Sequence, residues 1–297
     1  MKWIKAARLR TLPLSLAGII MGGGLSYCDE FNVTILWLCI ATATAFQVLS
    51  NFANDYGDFA KGTDNEDRVG PKRTMQAGLI SKKEMKNALI ITSVISLSLG
   101  GYLSYLGTSM METKFLILFL VLGIASVVAA IKYTVGKNAY GYSGMGDIFV
   151  FLFFGLVGVL GSKFLISGGI EWLDLLPAFG IGLFSVAVLN LNNMRDEHND
   201  KANNKNTLVV KMGLKKAKTY HFLTLILGMI SFLIFVTATC ISFWQFLLVL
   251  PFILLIKHLA FVNKTKENKA FDPELKKVAL STFFISILFF LGTYLSC

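Results

Sequence analysis

Apolar residues gather in blocks of about 20 along this 297-residue chain, parted by short clusters of charge. Neither strict alternation nor a one-sided helical stripe runs through the blocks, so they predict helices apolar all round rather than strands or surface helices. A block of that length matches an α-helix crossing a hydrocarbon layer about 30 Å thick. Nine such stretches lie near residues 11–28, 33–53, 87–107, 114–133, 146–167, 172–192, 219–240, 242–262 and 277–296. The predicted fold class is all-α: a polytopic membrane protein of nine transmembrane helices in one domain, 1–297. The first stretch runs on into further spans and has no small-residue cleavage site, so it is read as a retained helix and not a signal peptide.

Composition agrees. The chain is 55% hydrophobic, only 15% charged, and has a mean hydropathy of +0.63, where a soluble domain would carry about a quarter of its residues charged. Four cysteines (Cys28, Cys39, Cys240, Cys297) and three histidines (His198, His221, His258) stand singly, with no metal-ligand spacing. They predict no disulfide framework, no thiolate or imidazole metal site and no haem. The net charge of +10 follows topology rather than a nucleic-acid surface: 26 of the 28 Lys and Arg residues fall in alternate loops, leaving Lys114 and Lys163 opposite. The positive-inside rule then places the N-terminus and those loops in the cytoplasm. Function is expected on that face.

Two loops there carry most of the acids. The first runs from Asn51 through Asn54, Asp55, Asp58, Lys61, Asp64, Glu66, Asp67 and Arg68 to Gly70, Pro71, Lys72, Arg73 and Thr74. The second runs from Asn190 through Asn192, Asn193, Arg195, Asp196, Glu197, His198 and Asp200 to Lys205 and Thr207. Asn54-x-x-x-Asp58 and Asn192-x-x-x-Asp196 share one spacing, and Thr74…Gly78-Leu79 is echoed by Thr207…Gly213-Leu214. A parallel repeat of about four helices, present twice and followed by a final helix, accounts for both echoes. Residues four apart share a helix face, so each cluster forms a stripe of oxygen ligands at a helix end.

Carboxylates at that spacing repel one another at a membrane boundary and need a compensating cation. Oxygen ligands without His or Cys favour Mg²⁺, which binds one or two carboxylates together with substrate phosphates. Arg68, Lys72, Arg73, Arg195 and Lys205 are placed to grip phosphate oxygens. Acids plus bases read as a clamp for a Mg²⁺-bound diphosphate. Asp58, Asp196 and Asp200 are the expected metal ligands, with Asn54 and Asp64 as further candidates, and Asp55 or Asp64 as the helper of Asp58. Glu66, Asp67, Glu84 and Glu197 read as solvated loop acids. A third cytoplasmic loop contains Lys132, Tyr133, Lys137, Tyr142 and Asp147 among glycines. It is a weaker candidate, equally readable as an interhelical turn.

With these residues in view, the chain resembles the UbiA superfamily of intramembrane aromatic prenyltransferases, and its naphthoate branch in particular. The likeness rests on Ala6-Ala7-Arg8-Leu-Arg10-Thr11-Leu12, Asn54-Asp55-Tyr56-x-Asp58, Arg68-x-Gly70-Pro71-x-Arg73, Gly141-Tyr142-x-Gly144-x-Gly146-Asp147 and Asn192-Asn193-x-Arg195-Asp196-x-x-x-Asp200. One departure is Gly62, where the wider superfamily often has an Asp four residues beyond Asp58. The resemblance implies nine helices around a central cavity open to lipid. It implies transfer of a polyprenyl group from polyprenyl diphosphate to 1,4-dihydroxy-2-naphthoate with decarboxylation, in a bacterial inner membrane. Asp58, Asp196 and Asp200 would bind Mg²⁺ and diphosphate. Asn54 and Asn192 would orient them, with Asn193 beside them. Arg68, Arg73, Lys132, Lys137, Arg195 and Lys205 would meet anionic groups. Tyr133, Tyr142 and Asp147 would position the ring or take a proton. Another phenolic acid such as 4-hydroxybenzoate is the alternative acceptor. The competing classes are an ion-coupled transporter, whose acids would lie near the bilayer midplane, and a CDP-alcohol-type phosphotransferase, which would show a single compact Asp motif.

Overall fold

In the computed structural model, residues 1–66, 68–239 and 242–297 are described. Asp67 and Cys240 lie outside them. Among the described residues the chain is all-helical, with no strand. A short helix, α1 (Lys2–Ala7), precedes α2 (Leu12–Leu25), α3 (Val33–Ala60), α4 (Lys82–Gly107) and α5 (Thr113–Lys132). Then follow α6 (Gly146–Ser167), α7 (Trp172–Ala202), α8 (Leu208–Met212), α9 (Leu214–Thr239), α10 (Phe243–Lys264) and α11 (Asn268–Tyr294).

Eight of these are long and apolar enough to cross a membrane: α3 to α7 and α9 to α11. The first predicted stretch forms the 14-residue α2, only about 21 Å long. It is largely buried. Gly18 and Gly22 meet the backbone of α6, while Gly23 and Gly24 meet Phe290 and Phe289 of α11. Exposed Trp37, Trp172 and Trp244 mark the starts of α3, α7 and α10, as an aromatic belt at one membrane interface does.

Two helices outrun their apolar stretches, and this builds the site. The α3 helix continues to Ala60 and α7 to Ala202, so both Asn-x-x-x-Asp clusters stand on terminal turns. Asn32 caps α3 by accepting hydrogen bonds from Thr34 and Ile35. Ser81 and Glu84 form a reciprocal capping box that starts α4 after the long loop, so Glu84 has a structural post. Within α6, residues Phe151–Gly161 are wound as a π-helix, a form found mostly near functional sites. Gly155 on this stretch faces Gly182 of α7, and a Cβ there would come 2.7 Å from the Ala178 carbonyl oxygen.

Two expectations need correction. Cys28 and Cys297 form a disulfide, with Cα atoms 5.8 Å apart. A separation of 269 residues leaves no local spacing from which to read it. The histidines are not all isolated either: His221 Nε2 and His258 Nε2 lie 2.8 Å apart in the buried contact of α9 with α10.

Close packing of α6 on α7 carries a test. Gly155→Val should cost about 1–3 kcal/mol through overpacking, seen as a lower melting temperature in detergent. Gly123→Ala, whose Cβ meets nothing within 4 Å, should leave stability unchanged or raised. Equal melting temperatures for both variants would contradict this packing.

Candidate active site

The two clusters meet. Tyr142, from the loop after α5, donates to Asp58 Oδ1 at 2.8 Å and shares a 2.6 Å hydrogen bond with Thr63. Asn199 on α7 donates to the Thr63 carbonyl at 2.9 Å, and the Asn206 amide donates to the Tyr142 carbonyl at 3.0 Å. These bonds fasten the ends of α3 and α7 and the glycine loop into one body. Gly57 takes part in the join, since a Cβ there would strike Thr134 at 2.5 Å.

Buried acids and bases are laced across this body. Arg73 donates to Asp58 Oδ2 at 2.7 Å and to the Asn54 carbonyl at 2.9 Å, and its Nε lies 3.1 Å from Asp64. Arg68 reaches the same Asp64 oxygen at 3.3 Å. On the α7 side, Arg195 holds both oxygens of Asp196, at 2.9 and 2.6 Å, and also Asn192 at 2.9 Å and Asp272 at 2.6 Å. Lys205 lies 3.4 Å from Asp200 and its ammonium sits 5.5 Å from the Tyr142 ring centre. Gly70 threads between two guanidiniums: a Cβ would be 3.0 Å from Arg195 Nη2 and 3.1 Å from Arg68 Nη2.

The loop bases respond to this field. Burial alone would discharge Lys205, but Asp58 and Asp200 outweigh it and hold the ammonium up to about 12. Burial likewise opposes charge on Arg73, and Asp58 and Asp64 reverse the effect and raise it. Arg68 is drawn down to about 10 by burial first and by Arg73 second, which leaves it a cation at neutral pH. Burial pushes the Asp64 carboxyl up, with Arg73 pulling the other way. Tyr142 is raised by burial and then by Asp58, so its phenol stays protonated and acts as a donor.

A cavity of about 610 Å³ opens beneath the lattice. Asn54, Asp58, Arg68, Arg73, Tyr133, Asn192, Arg195 and Lys205 stand in its wall, and its depth is lined by apolar residues of α2 to α7. Asp64, Asp196 and Asp200 lie behind the bases that hold them. Acid therefore meets base directly across the lattice.

Both candidate helpers of Asp58 lie beside Arg73, with Asp64 Oδ1 3.1 Å from its Nε and Asp55 Oδ1 3.8 Å from its Nη1. Asp55 is also held by Arg8 and Thr74, and Arg73 reaches Asp58 as well. Asp147 is taken by Tyr220, which donates to it at 3.0 Å, and does not reach the cavity wall. Asn193 is buried outside that wall. Lys72, Lys132 and Lys137 are exposed and away from it. Sequence reasoning missed Arg8, Arg10, Thr63 and Asp272. Arg8 turns the chain between α1 and α2 at φ 48°, a conformation costly for a side-chain residue, and lines the cavity with Arg10. The opening Arg8-Leu-Arg10 motif was its only signal; Asp272 had none.

Among the described residues, no three of His, Cys, Asp and Glu converge tightly enough to hold a metal ion by themselves. The donors instead suit a cation that borrows oxygens from its ligand. Asp200 Oδ2 and Asp64 Oδ2 are buried without a hydrogen-bond partner, and Mg²⁺ takes one or two carboxylates plus phosphate oxygens. The residues fit such an ion.

Known proteins with this architecture bear on the reading. At 44% identity, the chain is similar to the 1,4-dihydroxy-2-naphthoate octaprenyltransferase of Haemophilus influenzae, with 98% of this chain and 94% of that protein covered. The protein of the same name from Escherichia coli is 41% identical over 99% of this chain and 95% of its own length. A UbiA homolog from Archaeoglobus fulgidus, solved bound to GPP and Mg²⁺, superposes with a TM-score of 0.73 over 100% of this chain and 99% of that one. At 15% identity, this last likeness concerns the fold alone. The model of the UbiA prenyltransferase family matches residues 14–291, and the chain belongs to that family.

Proposed function

We propose that this protein transfers a polyprenyl group from polyprenyl diphosphate to 1,4-dihydroxy-2-naphthoate with loss of CO₂, forming demethylmenaquinol, the reduced form of demethylmenaquinone, in menaquinone biosynthesis. The observation that carries the reading is the convergence of two acid clusters and the bases paired with them on one cavity whose depth is apolar. The relatives named for naphthoate octaprenyl transfer support the acceptor and a long donor.

Donor and site match chemically. The diphosphate would enter the lattice, taking Arg73, Arg195, Lys205 and Arg68 as partners while the tail descends among the apolar walls. Asp58, Asp196 and Asp200, with Asp64 alongside, would hold Mg²⁺. When bound, that ion supplies charge neutralisation of the leaving group. As the bond from C1 to the diphosphate oxygen breaks, the electron pair leaves on the diphosphate, and fixed cations stabilise the growing charge more than the bound substrate. The walls keep water from the allylic cation. Tyr133 and Tyr140, whose rings stand 5.3 Å apart, line the cavity where an aromatic acceptor would approach. Arg10, which has no ion pair among the described residues, is free to meet the acceptor's carboxylate at the cavity wall. Ring carbon then bonds to C1, and the carboxylate departs as CO₂ with its electron pair restoring the aromatic ring.

We read the helices as nine spans, with α2 as the short first one, the N-terminus in the cytoplasm and the site on that side of a bacterial inner membrane. The Cys28–Cys297 bond supports this orientation. It lies at the far ends of α2 and α11 from the acid clusters, and structural disulfides belong to oxidising compartments outside the cytoplasm.

Membranes containing the protein, given labelled octaprenyl diphosphate and dihydroxynaphthoate, should yield a lipophilic quinol and free diphosphate. Asp196→Asn should lower turnover by about ten- to a hundred-fold, the range for loss of one metal-supporting contact. Near-normal turnover by the folded variant would remove Asp196 from the site. For orientation, Cys28→Ser should expose Cys297 to a membrane-impermeant maleimide added outside intact spheroplasts, while the unmutated protein should gain that labelling only after reduction. Labelling that needs a permeabilised membrane would reverse the orientation.

A further inference from the structure

The central cavity has a floor. Measured along α3, Cys39 lies 19 residues from Asp58, or about 28 Å at helical rise. That nearly spans a hydrocarbon layer about 30 Å thick. At this depth the wall includes Ile19, Cys39, Leu103, Phe119 and Leu165, with Ser104 beside Leu103. Four of them, Ile19, Cys39, Leu103 and Leu165, belong to one buried cluster backed by Ile35, Leu36 and Ile166, and Phe119 packs against it.

On the far side of the cluster lies a second cavity of about 540 Å³, lined by Glu30, Asn32, Ile35, Leu106 and neighbouring residues of the face opposite the acid clusters. Among the described residues, Leu165 alone stands in the walls of both cavities. It has little room to move: its Cδ2 fills the place where a Cβ on Gly107 would come within 2.7 Å. Phe119 is likewise held, stacked on Phe164 with ring centres 5.7 Å apart. Gly123 stands one helical turn nearer the acid clusters on α5. It lines the cavity, and a Cβ there would meet nothing within 4 Å.

We propose that Leu165 is the stop that sets the longest polyprenyl tail the enzyme accepts, by closing the tail chamber against the outward cavity. This rests on the prenyl-transfer reading above. A tail anchored by its diphosphate at Asp58 and Asp196 descends the chamber until its last isoprene unit meets the Leu165–Leu103–Cys39 floor. A longer tail must fold back or displace buried side chains. Removing Leu165 beyond Cβ joins the two cavities and lengthens the path. Gly123→Leu fills the chamber above the floor and shortens it.

The test is a competition. Purified protein in nanodiscs receives dihydroxynaphthoate with an equimolar mixture of geranylgeranyl, hexaprenyl, octaprenyl and decaprenyl diphosphates, and the quinol products are resolved by mass. Leu165→Ala should raise the decaprenyl-to-octaprenyl product ratio by about ten-fold, the discrimination available from one buried apolar contact. Gly123→Leu should shift the products towards geranylgeranyl by a similar factor, and it replaces glycine by a better helix former. Opposite shifts in the two variants support the stop. Product mixtures identical to the unmutated protein's would show that the tail leaves the chamber sideways and would overturn it. Failure of the unmutated protein to transfer any of the four tails would instead overturn the prenyl-transfer reading.

Discussion

Everything at the functional end of this molecule depends on compensating charge at a membrane boundary. Asp55, Asp58, Asp64, Asp196 and Asp200 are all buried, and bringing so many carboxylates together without counter-charge would cost far more than the fold can supply. Arg8, Arg68, Arg73, Arg195 and Lys205 meet them one by one. This pairing of acids with bases is suited to a ligand that carries both signs. In the proposed reaction a Mg²⁺-bound diphosphate would present cation to the acids and phosphate oxygens to the bases, so that no buried charge would be stranded.

The helices serve that exchange. Because α3 and α7 continue past their apolar stretches, the acids project from rigid terminal turns rather than from loops. Tyr142, Thr63 and Asn199 then fix the spacing between the two helix ends. Below, the glycine contacts of α2 with α6 and of α6 with α7 bring backbones close, which leaves bulky side chains free to line the chamber instead of spacing the helices. Polar gripping and apolar storage of one amphiphilic substrate follow from a single bundle.

Much of this was legible in the residue pattern. Block length and Lys/Arg asymmetry foretold the spans, and α3 to α7 and α9 to α11 fall where the apolar stretches lie. The four-residue spacing of Asn54 with Asp58 and of Asn192 with Asp196 foretold two helical stripes, because it depends only on local geometry. What was hidden depends on tertiary contact. Nothing near Asp272 marks it as a partner of Arg195, and nothing near Cys28 points 269 residues onward to Cys297. Composition made Lys72, Lys132 and Lys137 as eligible as Arg73, but only the fold shows which bases turn inward. Asp147 was drawn into the site by its glycine-rich surroundings, whereas it faces Tyr220 across the α6–α9 contact.

In the proposed reaction the paired acids and bases turn together to metal and phosphate. Calorimetric titration of Mg²⁺ into the purified protein, with and without an unreactive prenyl thiolodiphosphate, tests it most directly. Mg²⁺ should bind at least about ten-fold more tightly when the analogue is present, since the ion needs phosphate oxygens to complete its shell. Equal Mg²⁺ affinity in both titrations would contradict the account.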